Sequence, residues 1–160
     1  MITFYQFVYY KWFVFYKDQL LMNQEADGYR VPFGEEPPVK VPVGSTIHNI
    51  GDMEGIPCKT YAIHTPIPGD EAPLRQMMGL RASYDELPFE EYYKAGKAFE
   101  ILNWDKNTRY CPSCGVPTHQ ISDIGKKCPE CRQEIYPHIS PAIIVRINKE
   151  RHVPVLIVEQ

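Results

Sequence analysis

A chain of 160 residues has room for one ordinary domain or two small ones, and 44% hydrophobic against 23% charged residues excludes a disordered chain. The formal net charge of −3 excludes a basic surface that would hold nucleic acid by charge alone. Any anionic ligand has to be held by a few placed cations.

The first predicted element is a strand within residues 3–16, where aromatic and β-branched residues are dense enough for a pleated surface packed on both faces. Gln6 and Lys11 interrupt the apolar run, and neither a basic leader nor a small-residue cleavage site surrounds it, so it reads as neither a membrane span nor a signal peptide. Lys17-Asp18 before Leu20 and Leu21 predicts a hairpin turn, and an edge strand this apolar would need covering. Residues 27–73 carry most of the prolines and glycines, with short apolar pieces at 45–50 and 59–64, which predicts a small β-rich domain. His48 and His64 fall in these pieces and are expected as core or surface histidines rather than ligands. Cys58 is an unpaired cysteine, expected as a small buried hydrophobe.

A helix is predicted next. Ser83 and Glu86 have capping-box spacing, Pro88 suits a first turn, and Tyr92, Ala95, Phe99 and Leu102 recur at helical spacing to about Asn103. Glu86, Glu90 and Glu91 lie where the helix dipole favours acidic groups, so they read as stability and not as catalytic carboxylates.

Cys111, Cys114, Cys128 and Cys131 then form a C-x2-C-x13-C-x2-C array, the spacing of a structural zinc site. Each pair lets one tight turn aim two thiolates at one ion, with Pro112 and Pro129 fixing φ after the first cysteine of each pair and Gly115 free to take φ > 0. Two disulfides and a single iron of the rubredoxin kind are the alternatives. An odd cysteine count beside such an array points to a reducing compartment, with the cytoplasm as the default. After the array, Tyr136-Pro137 and Pro141 lead into a predicted strand over 143–147, a polar turn at 148–151 and a second strand over 153–158. Two strands cannot bury a core on their own, so the chain is expected to end inside a domain.

From Arg109-Tyr110-Cys111-Pro112-Ser113-Cys114-Gly115 through Cys128-Pro129-Glu130-Cys131 to Tyr136-Pro137 and Pro141-Ala142-Ile143-Ile144-Val145, the sequence resembles the zinc-ribbon branch of the Nudix hydrolases, the bacterial NADH pyrophosphatases. Val31-Pro32-Phe33-Gly34-Glu35, Ile50-Gly51-Asp52-Met53-Glu54-Gly55 and Leu74-Arg75-Gln76 extend the resemblance upstream. It implies an α+β chain with a β-rich N-terminal domain (1–82), a connecting helix (83–108), a zinc ribbon (109–137) and the start of a Nudix α/β/α domain (138–160). It also implies that the protein acts as a homodimer. Family members cleave NADH or NAD⁺ to nicotinamide mononucleotide and AMP, and some remove NAD caps from RNA. By the same resemblance the four cysteines hold one structural Zn²⁺ per chain, while Arg75, Asp123 and Tyr136 match substrate contacts. Asp123 replaces a longer acidic residue of the family.

Nudix chemistry uses a G-x5-E-x7-R-E-x2-E-E-x-G box to place Mg²⁺ or Mn²⁺ on the pyrophosphate, and these 160 residues contain no such pattern. His138 and Ser140 lack a third orienting group and read as linker residues. The chain alone is therefore expected to be catalytically inactive, the front part of an enzyme. A free-standing zinc-ribbon binding module is the alternative.

Overall fold

The computed structural model describes residues 8–67, 74–138, 143–146 and 155–158. Strand β1 (Tyr10–Tyr16) carries the aromatic run. Its alternation sends Phe13 and Phe15 to one face and Trp12 and Val14 to the other, all buried, as a strand packed on both sides requires. Lys17-Asp18 turns the chain into β2 (Gln19–Glu25), with Tyr16 opposite Gln19 and Lys17 at φ 55.

The apolar strand is covered along both of its edges. β3 (Gly28–Arg30), β4 (Phe33–Gly34) and β5 (His48–Met53) intervene, and then β6 (Ile56–Ala62) pairs in parallel with β1 from Lys11–Cys58 to Phe15–Ala62. With β7 (Arg75–Gly79) on β2 and β4 on β1, this makes a seven-stranded sheet of order β3-β2-β1-β6-β5 in which β1 is interior. β5 and β6 begin and end somewhat away from the apolar pieces at 45–50 and 59–64. The reason is a tight turn at Glu54-Gly55, both at positive φ (53° and 78°), which closes the hairpin.

Helix α1 (Phe89–Asn107) covers one face of the sheet. Ala95, Ala98 and Ile101 join Phe13, Phe15, Leu20 and Ile50 in one core, with Tyr92, Phe99 and Leu102 packed at its margin. Burying a ring such as Phe13 contributes on the order of 1.5–3 kcal/mol. The capping box does not form. Ser83 sits in a short 3-10 turn and its hydroxyl donates to the Leu80 carbonyl at 2.7 Å. Pro88, at φ −54° and ψ 141°, instead marks the helix start, because a proline keeps the residue before it out of the helical region.

Glu86 and Glu90 are exposed, in keeping with a role at the helix dipole, but Glu91 is buried. Its carboxylate accepts from the Lys11 ammonium at 2.6 Å and from the Val31 amide at 2.9 Å, tying helix, central strand and the loop before β4 together. Cys58 lies in the same core, and burial pushes its thiol up, as for a small buried hydrophobe.

Three short strands, β8 (His119–Ser122), β9 (Gly125–Lys127) and β10 (Glu134–Ile135), form a second antiparallel sheet of order β10-β9-β8. β11 (Ile143–Arg146) and β12 (Val155–Val158) pair antiparallel, Ile143 opposite Val158. The predicted turn at 148–151, Pro141, Ala142 and Ser140 lie outside the described residues. The fold is α+β, as expected. No helix among the described residues is long and apolar enough to cross a membrane.

Candidate metal centre

The two C-x2-C pairs fold into matching knuckles. In the first, the Gly115 amide donates to the Cys111 carbonyl at 2.8 Å and the Cys111 amide to Val116 at 2.8 Å. In the second, the Arg132 amide donates to Cys128 at 3.1 Å and the Cys128 amide to Gln133 at 2.9 Å. The residue after each pair has positive φ, Gly115 at 74° as the sequence predicts and Arg132 at 63°. An arginine accepts that conformation only with strain, so the second knuckle is held by its surroundings.

These turns bring all four sulfurs within 4.8 Å of one another. The Cys111–Cys131 and Cys114–Cys128 separations are 3.5 and 3.4 Å, and Cys114–Cys131 is 3.9 Å. A tetrahedron with metal–sulfur bonds of about 2.3 Å has edges of about 3.8 Å, so the set fits one ion. The four sulfurs gather around one point instead of pairing off at the S–S bond length of about 2.05 Å, which favours a shared ion over two disulfides. The donor set also favours a cation. Burial acts upward on Cys111 and Cys128, yet the Cys114 and Ser113 amides bring Cys111 down to about 6, and the Cys131 and Glu130 amides lower Cys128. Against the Val116 amide, the Cys128 and Cys111 sulfurs hold Cys114 up at about 12, and against the Gln133 amide neighbouring sulfurs raise Cys131. A bound Zn²⁺ would satisfy all four as thiolates and close the ribbon, leaving no position for water.

The other three candidate residues are not joined to one another by any hydrogen bond among the described residues. Arg75, on β7, is half-buried and donates to the Pro38 carbonyl at 2.7 Å. It lines a cavity of about 370 Å³ with Lys40 and His64. Asp123 is in the exposed β8–β9 turn, its carboxylate 3.5 Å from the Asn49 amide. Tyr136 follows β10, and its hydroxyl donates to Glu134 at 2.9 Å, a bond that pushes the phenol up. Its ring lies over Gly125, where an added Cβ would come within 2.9 Å of it. His138 is exposed, and His64 has its Nε2 3.4 Å from the Ser45 hydroxyl.

Sequence reasoning missed the joint between ribbon and helix. Lys126 on β9 is buried, with its ammonium 2.7 Å from the Asp105 carboxylate, 2.8 Å from the Asp105 carbonyl and 5.2 Å from the centroid of the Trp104 ring. His48, also buried, lies beneath, its Nε2 3.6 Å from the other Asp105 oxygen. Burial acts upward on Asp105, but His48 and Lys126 hold it at about 2. The His48 separation exceeds hydrogen-bond range, so the 2.7 Å ammonium contact carries most of the effect. A lysine two positions before a ligand cysteine carries no signature of a buried partner 21 residues upstream.

An acid group held below its unfolded value of about 3.9 adds stability that is complete above that value and lost as the pH falls through its folded value. The denaturation midpoints of the wild type and Asp105→Asn are therefore expected to differ at about pH 5 and to converge by about pH 2. Midpoints that stay parallel would show that Asp105 does not hold the joint.

The profile of the NADH pyrophosphatase-like rudimentary NUDIX domain family matches residues 10–104, and that of the NADH pyrophosphatase zinc ribbon domain matches residues 106–136. The first spans the large sheet and most of α1, the second the cysteine knuckles. Among curated proteins, three named NAD-capped RNA hydrolase NudC are similar to this chain. That of Edwardsiella ictaluri is 30% identical over 116 residues, 69% of this chain and 40% of its own length. The Pseudomonas putida protein is 34% identical over 105 residues, 64% of this chain and 36% of its own. The Deinococcus radiodurans protein is 32% identical over 85 residues, 52% and 30%. The chain thus spans between 30% and 40% of the length of these relatives.

Proposed function

Because the chain belongs to the NADH pyrophosphatase-like family of NUDIX proteins, we propose that it is the non-catalytic front part of an enzyme that hydrolyses the pyrophosphate of NAD(H) to nicotinamide mononucleotide and AMP, NAD-capped RNA being a further substrate. The observation that carries this reading is the closed four-cysteine cluster set directly after a rudimentary NUDIX domain. In this account one Zn²⁺ per chain holds the ribbon. The hydrolytic step belongs to a catalytic Nudix domain, whose glutamates place Mg²⁺ or Mn²⁺ to neutralise developing charge and activate water. The enzyme acts as a homodimer in the cytoplasm.

The chain's own contribution is to position substrate. Arg75 spends one of its five N–H donors on Pro38, leaving a planar cation for a substrate phosphate. Tyr136, braced by Gly125 and Glu134, presents an exposed ring, and Asp123 offers a short carboxylate from the ribbon turn.

The test uses this chain joined to the catalytic domain of the Pseudomonas putida relative. Arg75→Ala is expected to lower kcat/KM for NADH by about tenfold or more, the loss of one charge-assisted bond of about 1.5–3 kcal/mol. Tyr136→Phe should lower it several-fold. Both variants should melt within a few degrees of the parent. Specificity constants unchanged in both would remove these residues from the substrate site.

A further inference from the structure

A cavity of about 570 Å³ opens where the β1–β2 turn, the end of β6 and the last turns of α1 meet. It contains none of the four cysteines and none of Arg75, Asp123 or Tyr136, so it is a site apart from those residues. The volume lies within the ~300–1,000 Å³ typical of sites for small organic ligands.

Its lining divides into two kinds of surface. The floor is apolar: Phe15 is fully buried, Phe99 and Leu102 are half-buried, and the two phenyl rings lie with centroids 5.4 Å apart. The rim is cationic. Lys17, Lys106 and Arg109 are all exposed, and none of the ion pairs among the described residues uses them. Two carboxylates also line the cavity, Asp18 and Asp105, and the second is already matched by Lys126. The rim therefore holds two positive charges in excess, in a chain whose formal net charge is −3.

Lys106 and Arg109 have a partial alternative explanation, because cations near a helix C-terminus offset the negative end of its dipole. That does not account for Lys17. It comes from a different element, and a left-handed backbone at φ 55 places it in the hairpin turn, its ammonium 5.2 Å from the centroid of Tyr16. Lys17 from the hairpin turn, and Lys106 and Arg109 from the end of α1 and just beyond it, thus line one cavity whose buried lining is apolar. Asn103 and Thr46, both exposed, add an amide and a hydroxyl to the lining.

From this division we propose that the cavity binds a nucleoside monophosphate, its base against the half-buried Phe99 and Leu102 and its phosphate among Lys17, Lys106 and Arg109. A phosphate monoester carries close to two negative charges at neutral pH, which matches the excess at the rim. The flat base is what an aromatic floor can bury. A free phosphate would leave the floor wet, and an uncharged ring would leave the cations without a counter-charge.

The test is calorimetric titration of the whole chain at low ionic strength with AMP, adenosine and inorganic phosphate as separate probes. AMP is expected to bind at least about tenfold more tightly than either of the others, the difference one charge-assisted contact or one stacked base makes. Lys17→Ala and Arg109→Ala, both surface changes, should each weaken AMP about tenfold without lowering the melting temperature. Lys97→Ala, an exposed cation on α1 that does not line the cavity, should leave AMP binding unchanged. The proposal is overturned if AMP shows no binding at millimolar concentration, if adenosine or phosphate binds as well as AMP, or if Lys17→Ala binds AMP like the parent.

Discussion

Cys128→Ser is expected to release the metal and unfold the ribbon while the seven-stranded sheet and its helix stay folded. Cys128 is the fully buried member of the cluster, and its backbone anchors the second knuckle through both its amide and its carbonyl. A serine hydroxyl in its place offers a far poorer ligand, and in a closed four-thiolate site metal affinity and ribbon folding are one free energy, of order 10–16 kcal/mol in zinc-finger peptides. The large sheet has its own core, built from β1, β2, β5, β6 and α1 with no ribbon residue in it. Elemental analysis and amide exchange would read the two halves separately. Retained stoichiometric metal, or loss of protection throughout the chain, would contradict this picture.

The second large effect is expected at Glu91. Replacing it with leucine should lower stability by about 1–3 kcal/mol, because it leaves the buried Val31 amide without its acceptor and the half-buried Lys11 ammonium without its counter-charge. Glu91→Gln keeps the bond to Val31 and should cost less. The pair is sensitive to loss of one member for the same reason that it is a weak net stabiliser: two desolvated groups offset each other only together. Chemical denaturation of parent and both variants measures this, with Glu90→Gln as the exposed comparison. Equal midpoints for Glu91→Leu and Glu90→Gln would contradict the assignment.

What the sequence shows and hides follows from the range of the interactions. The cysteine array was legible because each knuckle is local: four or five residues fix the turn, and the spacing fixes the ligand number. The β1–β2 turn and the helical stripe from Tyr92 to Leu102 are local in the same way. The start of α1 was misplaced because Ser83 and Glu86 satisfy a local pattern that Pro88 then overrides. The parallel pairing of β1 with β6 joins Lys11 to Cys58, and no pattern in either strand names the other. Glu91 shows the same limit. A glutamate in a first helical turn reads as a dipole partner, and only the arrival of Lys11 from 80 residues away makes it a buried ion pair. Lys126 and Asp105 are hidden likewise, and the contact that ties the ribbon to the helix has no local signature.

The central claim is that these residues position substrate and close a metal ribbon but do not themselves split a pyrophosphate. Among the described residues the acidic groups are committed elsewhere or dispersed: Glu91 to Lys11, Asp105 to Lys126, Glu134 to Lys127 and Tyr136. The group of three or more metal-ligating side chains found among them is the cysteine cluster, which a single ion fills. The most direct measurement is AMP release from NADH, with Mg²⁺ or Mn²⁺ present, by the 160-residue chain beside the same chain joined to the Pseudomonas putida catalytic domain. The account predicts background release by the chain alone and metal-dependent turnover by the joined protein. Metal-dependent turnover by the chain alone would contradict it, and would place the catalytic groups within these residues.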